Sequence, residues 1–536
     1  MFCDQCEQTA KGVGCTITGV CGKNPEVSHL QDQLVYLLRR LSVLVNQAEK
    51  KGIDVVGYDD FIAEALFATL TNVNFDPAAI RKFALDAFNS CRTLAAQTGE
   101  TPEDLQQTFD EYLAGLTEKV VGLGAFSPDA DVDSAMQTLL FGLKGLCAYK
   151  THAARMDQRD ADLSRFVRKA LIAGTEWDQE TRDLGGWLGI VLECGTGSIK
   201  AMELLDKGNT ERFGNPVPSP VSLGHKKGKA IMISGHDLPD LEALLKQTEG
   251  KGINIYTHGE MLPAHGYPKL KEHKHLVANF GSAWQNQQRE FPKFPGPILF
   301  TTNCLQNPRD YGEHVFTTGN VGWPGCKYCH SQDFSEVIAK AQEMEGFDDD
   351  YEGEEILTGF GRKTLADAAP AILEAVANGA LRHIFVVGGC DGAFPSRKYY
   401  TEFVEKAPHD TVILTLGCAK YRFYDKKLGK LGDFPRYMDC GQCNDAYTAI
   451  KTAQALAGAL KCDVNDLPLS LVLGWYEQKA VCVLLALLSL GIKNIIIGPT
   501  LPAFVSPAIL KVLVDKFNLK LITTPDEDLK TCLAQK

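Results

Sequence analysis

Leucines and valines recur every three or four residues near the start of the chain. Leu30, Leu34, Leu37, Leu38, Leu41, Leu44 and Val45 therefore share one face of a helix. Period-2 alternation is almost absent from about residue 26 to residue 205, and this stretch reads as a helical bundle. Ser28 with Gln31 fits a capping box at the first helix start. Asp76-Pro77 and Thr101-Pro102 each place an N-cap before a proline in the first turn. Asn215-Pro216-Val217-Pro218-Ser219-Pro220 cannot continue a helix and predicts an extended linker.

Beyond the linker the pattern changes to short apolar runs, each followed by a turn and often by a helical period. They are Ala230–Ile233, Ile253–Tyr256, Ile298–Phe300, His383–Val387, Val412–Leu416, Leu471–Leu473, Ile495–Ile497 and Leu521–Ile522. Continuous apolar strands alternating with helices predict mostly parallel sheets covered on both faces. The expected fold class is multidomain α and α/β. A helical-bundle domain spans residues 1–222, and two Rossmann-like α/β domains span 223–370 and 371–536. No solenoid repeat or low-complexity tract interrupts this pattern.

A chain of 536 residues, 45% hydrophobic, exceeds what one compact core accommodates and implies two to four domains. Its net charge of −12 disfavours nucleic acid or an anionic membrane as a partner. No apolar run reaches the roughly 18–20 residues of a membrane span, and Val481–Leu490 reads as a buried helix. Phe2 and Cys3 follow Met1 without a basic and apolar leader, so a cytoplasmic location is expected.

Seventeen cysteines are many for a reducing compartment. Cys91, Cys147, Cys194, Cys462, Cys482 and Cys532 are scattered and read as small core residues. Cys3, Cys6, Cys15 and Cys21 are instead crowded among Gly12, Gly14, Gly19 and Gly22. Four thiolates in one glycine-rich segment suit an iron–sulfur centre, although the spacing matches neither bacterial nor plant-type ferredoxins. A four-cysteine zinc site remains open, but it ordinarily uses two short pairs, and only Cys3 and Cys6 form one.

A second group emerges at the predicted strand ends, where open parallel sheets bind their ligands. His236, Glu260, Cys304, Cys390 and Cys418 each follow a strand. Cys440-x2-Cys443 and Glu477 with Lys479 add further candidates. Any one alone reads as a core or solvated residue. Five at equivalent topological positions point to a metal centre, and thiolates mixed with carboxylate and imidazole suit iron bridged by both sulfide and oxygen. Cys326-x2-Cys329-His330 spells a c-type haem attachment, which belongs to exported proteins and is set aside. Gly388-Gly389-Cys390-Asp391-Gly392 lacks the fingerprint of a nucleotide loop. Cys440-Gly441-Gln442-Cys443 lacks the small fold of a thioredoxin-like pair.

Taken together, these segments resemble the hybrid-cluster, or prismane, proteins over essentially the whole chain. The resemblance is carried by Met1-Phe2-Cys3-x2-Cys6-Glu7, Gly235-His236-Asp237, Thr257-His258-Gly259-Glu260-Met261 and Thr302-Asn303-Cys304. It continues through Gly388–Gly392, Leu416-Gly417-Cys418-Ala419, Asp439-Cys440-Gly441-Gln442-Cys443-Asn444 and Trp475-Tyr476-Glu477-Gln478-Lys479. The resemblance implies a [4Fe–4S] cluster on Cys3, Cys6, Cys15 and Cys21. It implies a hybrid [4Fe–2O–2S] cluster on His236, Glu260, Cys304, Cys390, Cys418, Cys443 and Glu477, with Lys479 beside it. Cys390 would be carried as a persulfide, and Cys440 is not among the implied ligands.

The activity this implies is two-electron reduction of hydroxylamine to ammonia and water, with electrons from an external donor protein. Glu260, Glu477, His236 and Lys479 are the candidates for proton delivery. Nitric oxide reduction or protein S-nitrosylation, as part of a nitrosative-stress defence, is the alternative at the same site. A non-catalytic zinc or electron-transfer protein is the bland alternative. The α/β domains also resemble nickel–iron carbon-monoxide dehydrogenases.

Overall fold

A computed structural model describes residues 1–100, 102–116 and 126–534. Its first part is helical, with helices Pro25–Lys50, Val56–Phe67, Pro77–Thr98, Ala130–Ala154, Ala161–Ile172 and Leu184–Phe213. The leucine stripe faces inward: Leu34, Leu37, Leu38, Leu41, Leu44 and Val45 are all fully buried. The first helix begins a turn earlier than the Ser28–Gln31 pattern predicts. Asn24 is its cap, Oδ1 accepting from the Val27 N–H at 2.8 Å, and Ser28 and Gln31 lie inside the helix. An acceptor followed by a proline with preset φ outcompetes the later pattern. Asp76 caps Pro77–Thr98 as expected. Thr101 lies outside the described residues, and Pro102 leads only into the 3-10 turn Glu103–Leu105.

All eight predicted strands are present, with small shifts at their ends. Two six-stranded sheets contain them. The first runs in the order Leu276–Asn279, Ile253–His258, Lys229–Ser234, Ile298–Phe300, Val315–Thr317, Lys327–Tyr328, every pair parallel. The second runs Tyr437–Asp439, Thr411–Thr415, His383–Gly389, Leu469–Gly474, Ile496–Gly498, Lys520–Leu521, again all parallel. Numbered by their order in the chain, the strands of both sheets read 3-2-1-4-5-6, the dinucleotide-fold order whose direction of winding reverses between strands 1 and 4. The linker is extended as expected, and from Ser219 it becomes a strand, Ser219–Ser222, paired antiparallel with Glu355–Thr358. Short pieces such as Leu276–Asn279 and Tyr437–Asp439 escape a reading based on apolar runs.

Helix Gln478–Ser489 lies across Ala130–Ala154 and Leu184–Phe213 at backbone contact. A Cβ at Gly145 would stand 2.4 Å from the Gln478 oxygen, and one at Gly195 would stand 2.1 Å from the Leu485 oxygen. Only glycine admits that approach. The apolar run from Val481 is thus an amphipathic helix, buried at Cys482 and Leu485–Leu488 but half-exposed at Val483 and Leu484. Of the scattered cysteines, Cys462 alone is not fully buried. Among the described residues no helix is long and apolar enough to cross a membrane.

Candidate functional site

The reversal of strand order opens a crevice at the carboxyl ends of each sheet. In the first sheet His236 follows strand Lys229–Ser234, and Cys304 follows Ile298–Phe300. In the second, Cys390 follows His383–Gly389, and Glu477 follows Leu469–Gly474. Glu260 and Cys418 sit in 3-10 turns after the second strands, and Cys443 follows the third strand of the second sheet. The two crevices face each other. The Cys418 thiol donates to Glu260 Oε1 at 3.1 Å, and the Cys443 N–H donates to Glu260 Oε2 at 2.8 Å. Gln442 Nε2 bridges the two sheets by donating to the carbonyls of His236 at 3.0 Å and Glu260 at 2.8 Å.

His236 is held by Thr302, whose Oγ1 accepts the backbone N–H at 2.8 Å and faces Nδ1 at 2.9 Å. Lys479 Nζ donates to His236 Nε2 at 2.9 Å and to Asn303 Oδ1 at 2.9 Å. A protonated amine has no lone pair, so Nε2 is an acceptor and the ring proton sits on Nδ1. Nε2 and Glu260 Oε2 are then two acceptors 3.0 Å apart. Such a pair suits a shared cation, and the Lys479 ammonium already stands 2.9 Å from one of the two. Among the described residues, the His236, Glu260 and Cys443 donor atoms form the one group of three all within 4.8 Å of each other.

The electrostatics agree. Burial, followed by the Lys479 charge, pushes His236 down to about 4, so the imidazole is neutral and free to ligate. Burial alone would raise Glu260, but the Lys479 charge and the Cys443 amide oppose it and hold the carboxyl well below the carboxylate range. Burial also opposes charging Lys479, yet Cys443, Glu477 and Glu260 outweigh it and keep the ammonium protonated. Burial raises Cys390 and Cys443, while Cys304 beside it, then burial, raises Cys418. Once deprotonated, these thiols and the two carboxylates would outweigh the single Lys479 ammonium, the charge balance that a cationic metal centre would meet. Cys304 has φ of 77°, a left-handed conformation costing about 1–3 kcal/mol outside glycine. Gln287 Nε2 clamps its carbonyl at 2.6 Å. With 2% of its surface exposed, Lys479 is not the surface lysine that an inert reading requires.

Cys3 and Cys15 face each other across a short antiparallel bridge. With Cys6 and Cys21 they line one small cavity, roofed by Gly19, where a Cβ would stand 3.0 Å from the Cys21 sulfur. Burial raises the Cys6 thiol well above its ordinary value, and Cys21 and Cys3 add to it. Four cysteines around one cavity are the donor set that an iron–sulfur cluster takes.

Cys440 is buried, with its sulfur 4.0 Å from the Met438 carbonyl, and Cys326 and Cys329 flank the edge strand Lys327–Tyr328. Sequence reasoning passed over two residues beside the larger site. Tyr149, from helix Ala130–Ala154, lies against Cys443 with no nitrogen or oxygen partner for its hydroxyl among the described residues. Arg397 donates to the Cys390 carbonyl at 2.8 Å. Tyr149 carries no local signal, since only the fold brings it in, and Arg397 stands seven residues after Cys390 but in no motif.

Two Rossmann-like sheets presenting soft and hard donors to each other, with a cysteine cradle on a helical part, define a class of iron–sulfur metalloprotein. The Prismane/CO dehydrogenase family profile matches residues 1–530. The chain belongs to that family, whose members carry iron–sulfur clusters and a hybrid cluster. It is 54% identical to a hydroxylamine reductase of Lawsonia intracellularis (strain PHE/MN1-00), covering 99% of each chain. It is 53% identical to a hydroxylamine reductase of Methanocella arvoryzae, covering 99% of this chain and all of that one. Carbon monoxide dehydrogenase IV from Carboxydothermus hydrogenoformans shares the fold, with a TM-score of 0.56 at 15% identity over 99% of this chain and 92% of that one.

Proposed function

We propose that this chain reduces hydroxylamine, NH2OH + 2e⁻ + 2H⁺ → NH3 + H2O, using electrons from an external donor protein. The observation that carries the reading is the meeting of His236, Glu260 and Cys443 donor atoms, with Lys479 against them, between two facing strand-end crevices. His236, Glu260, Cys304, Cys390, Cys418, Cys443 and Glu477 would hold the hybrid [4Fe–2O–2S] cluster, with Cys390 as a persulfide. Cys3, Cys6, Cys15 and Cys21 would hold a [4Fe–4S] cluster. Bound there, the hybrid cluster supplies electrons and a Lewis-acidic iron. The three parts 1–222, 223–370 and 371–536 are the domains of this reading.

The residues supply the rest. Lys479 holds a proton at Nζ, 2.9 Å from His236 Nε2, and so stands ready to give it to a nitrogen or oxygen leaving the reaction. Glu477 caps helix Gln478–Ser489, accepting the Lys479 N–H at 2.8 Å, which fixes its carboxylate. A polar cavity lined by Thr301, Thr302, His152, Arg155 and Gln332 backs onto His236 through Thr302 and gives this side of the site a polar route for protons. An apolar cavity lined by Ile450, Val483 and Leu487 reaches Cys390, Cys443 and Lys479. That lining suits nitric oxide as well, which favours nitric oxide reduction as the second reading.

The test is anaerobic. Purified protein should contain about eight irons per chain, two four-iron centres, and should form ammonia from hydroxylamine with reduced methyl viologen. Stoichiometric zinc with little iron, or nickel with carbon monoxide oxidation, would overturn the reading. A kcat/KM higher for nitric oxide than for hydroxylamine would favour the second.

A further inference from the structure

The loop that carries Cys15 and Cys21 turns apolar side chains outward. Ile17 is 82% exposed, Val13 69% and Val20 58%, and Ile17 exceeds every other large hydrophobic side chain among the described residues. Exposed apolar residues are ordinary when scattered singly, but a group on a redox cradle is not. Outward positions of a wrapping loop are satisfied by polar side chains, as Thr16 and Thr18 show between them. Trp323 extends the patch, half-buried, with its ring 3.6 Å from where a Cβ of Gly22 would stand.

Charge sets the same spot apart. The chain carries 67 acidic against 55 basic residues, yet the sequence from Gln8 to Pro25 contains no acid. Neither does the sequence from His314 to Gln332, which brings in Trp323. Lys11 is exposed at the edge of the loop. The net charge repels an acidic molecule, and neither of these two stretches adds an acid to that repulsion at the loop.

We propose that Val13, Ile17 and Val20 form the docking spot for a small, acidic, one-electron iron–sulfur carrier of the ferredoxin kind. This rests on the hydroxylamine reading for its electron demand: two reduced carriers each lose one electron to the chain per hydroxylamine reduced. Apolar contact at the loop brings the carrier's centre over Cys15 and Cys21, and charge steers its approach.

The test reads cluster reduction directly. Anaerobic holoprotein is mixed with a reduced acidic ferredoxin, without hydroxylamine, and bleaching of its iron–sulfur absorbance is followed by stopped flow. Ile17→Glu and Val20→Glu should each slow the second-order rate at least tenfold, while reduction by methyl viologen stays unchanged. Lys11→Glu should slow the ferredoxin rate and weaken its ionic-strength dependence. An unchanged ferredoxin rate in Ile17→Glu overturns the proposal, as does an equal loss with viologen, which would mean a damaged cradle. Dissociation of an oligomer by Ile17→Glu with the ferredoxin rate intact also overturns it, since the patch would then join copies of this chain. If ammonia formation fails but reduction remains dependent on Ile17, the docking spot stands and the substrate reading falls.

Discussion

Glu7 and Arg397, 390 residues apart in the chain, meet as an ion pair at 2.6 Å with both side chains fully excluded from solvent. Glu7 adjoins Cys6 and donates its N–H to the Tyr476 carbonyl at 2.9 Å, while Arg397 also holds the Cys390 carbonyl. One pair thus ties the N-terminal cradle to the loops of Cys390 and Glu477.

Breaking that pair from one side strands a buried charge. Arg397→Met should cost about 3–5 kcal/mol, and adding Glu7→Gln should recover part of the loss. Guanidinium unfolding of both variants and of wild type checks this. Additive losses would show that the two residues do not act as a pair.

The carboxylates of the site are predicted to matter by charge. Glu260→Gln and Glu477→Gln keep shape but lose charge, and each should lower hydroxylamine turnover at least about tenfold, the low end of losses around metal sites. Lys479→Met keeps volume and should lower turnover by a factor of about 10²–10⁴, the range for a lost general acid. Iron content should stay near normal in Lys479→Met, because a protonated amine is no ligand. Full turnover in that variant would remove Lys479 from the chemistry.

The glycine contacts beneath helix Gln478–Ser489 make a packing prediction. Gly195→Ala drives a methyl against the Leu485 oxygen and should destabilise by about 1–3 kcal/mol, the usual cost of overpacking. Gly145→Ala meets the Gln478 oxygen, one residue from Lys479, and should add a loss of turnover to a similar loss of stability. Gly189→Ala, with open space around it, is the control. Unfolding midpoints and turnover of the three separate packing from chemistry.

His383 supplies a pH test away from both centres. Burial, with Arg382 nearby, pushes it down to about 4, and its Nε2 faces Ser470 Oγ at 2.9 Å. The unfolded chain binds that proton near its ordinary value of 6.5, so stability is full above that pH and falls as pH drops towards 4. Between about pH 7 and pH 5 this one group should cost about 2 kcal/mol. His383→Asn should flatten the fall in guanidinium midpoint over that window, and an unchanged slope would refute the assignment.

The sequence by itself determined the class and most of the inventory. The leucine stripe, the eight apolar runs and the Asp76 cap are local patterns, and local physics is enough to read them. The donors at strand ends were legible for a related reason: in a parallel sheet, chain direction alone tells which end of a strand a following residue occupies. Other features needed the fold. The shared 3-2-1-4-5-6 order appears only once short strands such as Tyr437–Asp439 find partners, and pairing is non-local. Tyr149 reaches Cys443 from helix Ala130–Ala154, and Arg397 joins Glu7 across 390 residues, each with no motif of its own. Asn24 outcompeted Ser28 as a cap because helix ends are chosen among competing acceptors, which a single pattern does not weigh. Whether Lys479 was a surface residue or the ammonium at the heart of the site depended on where glycines let its helix settle. That distance is set by backbone contact between residues 290 or more apart in the chain, and no stretch of sequence contains it.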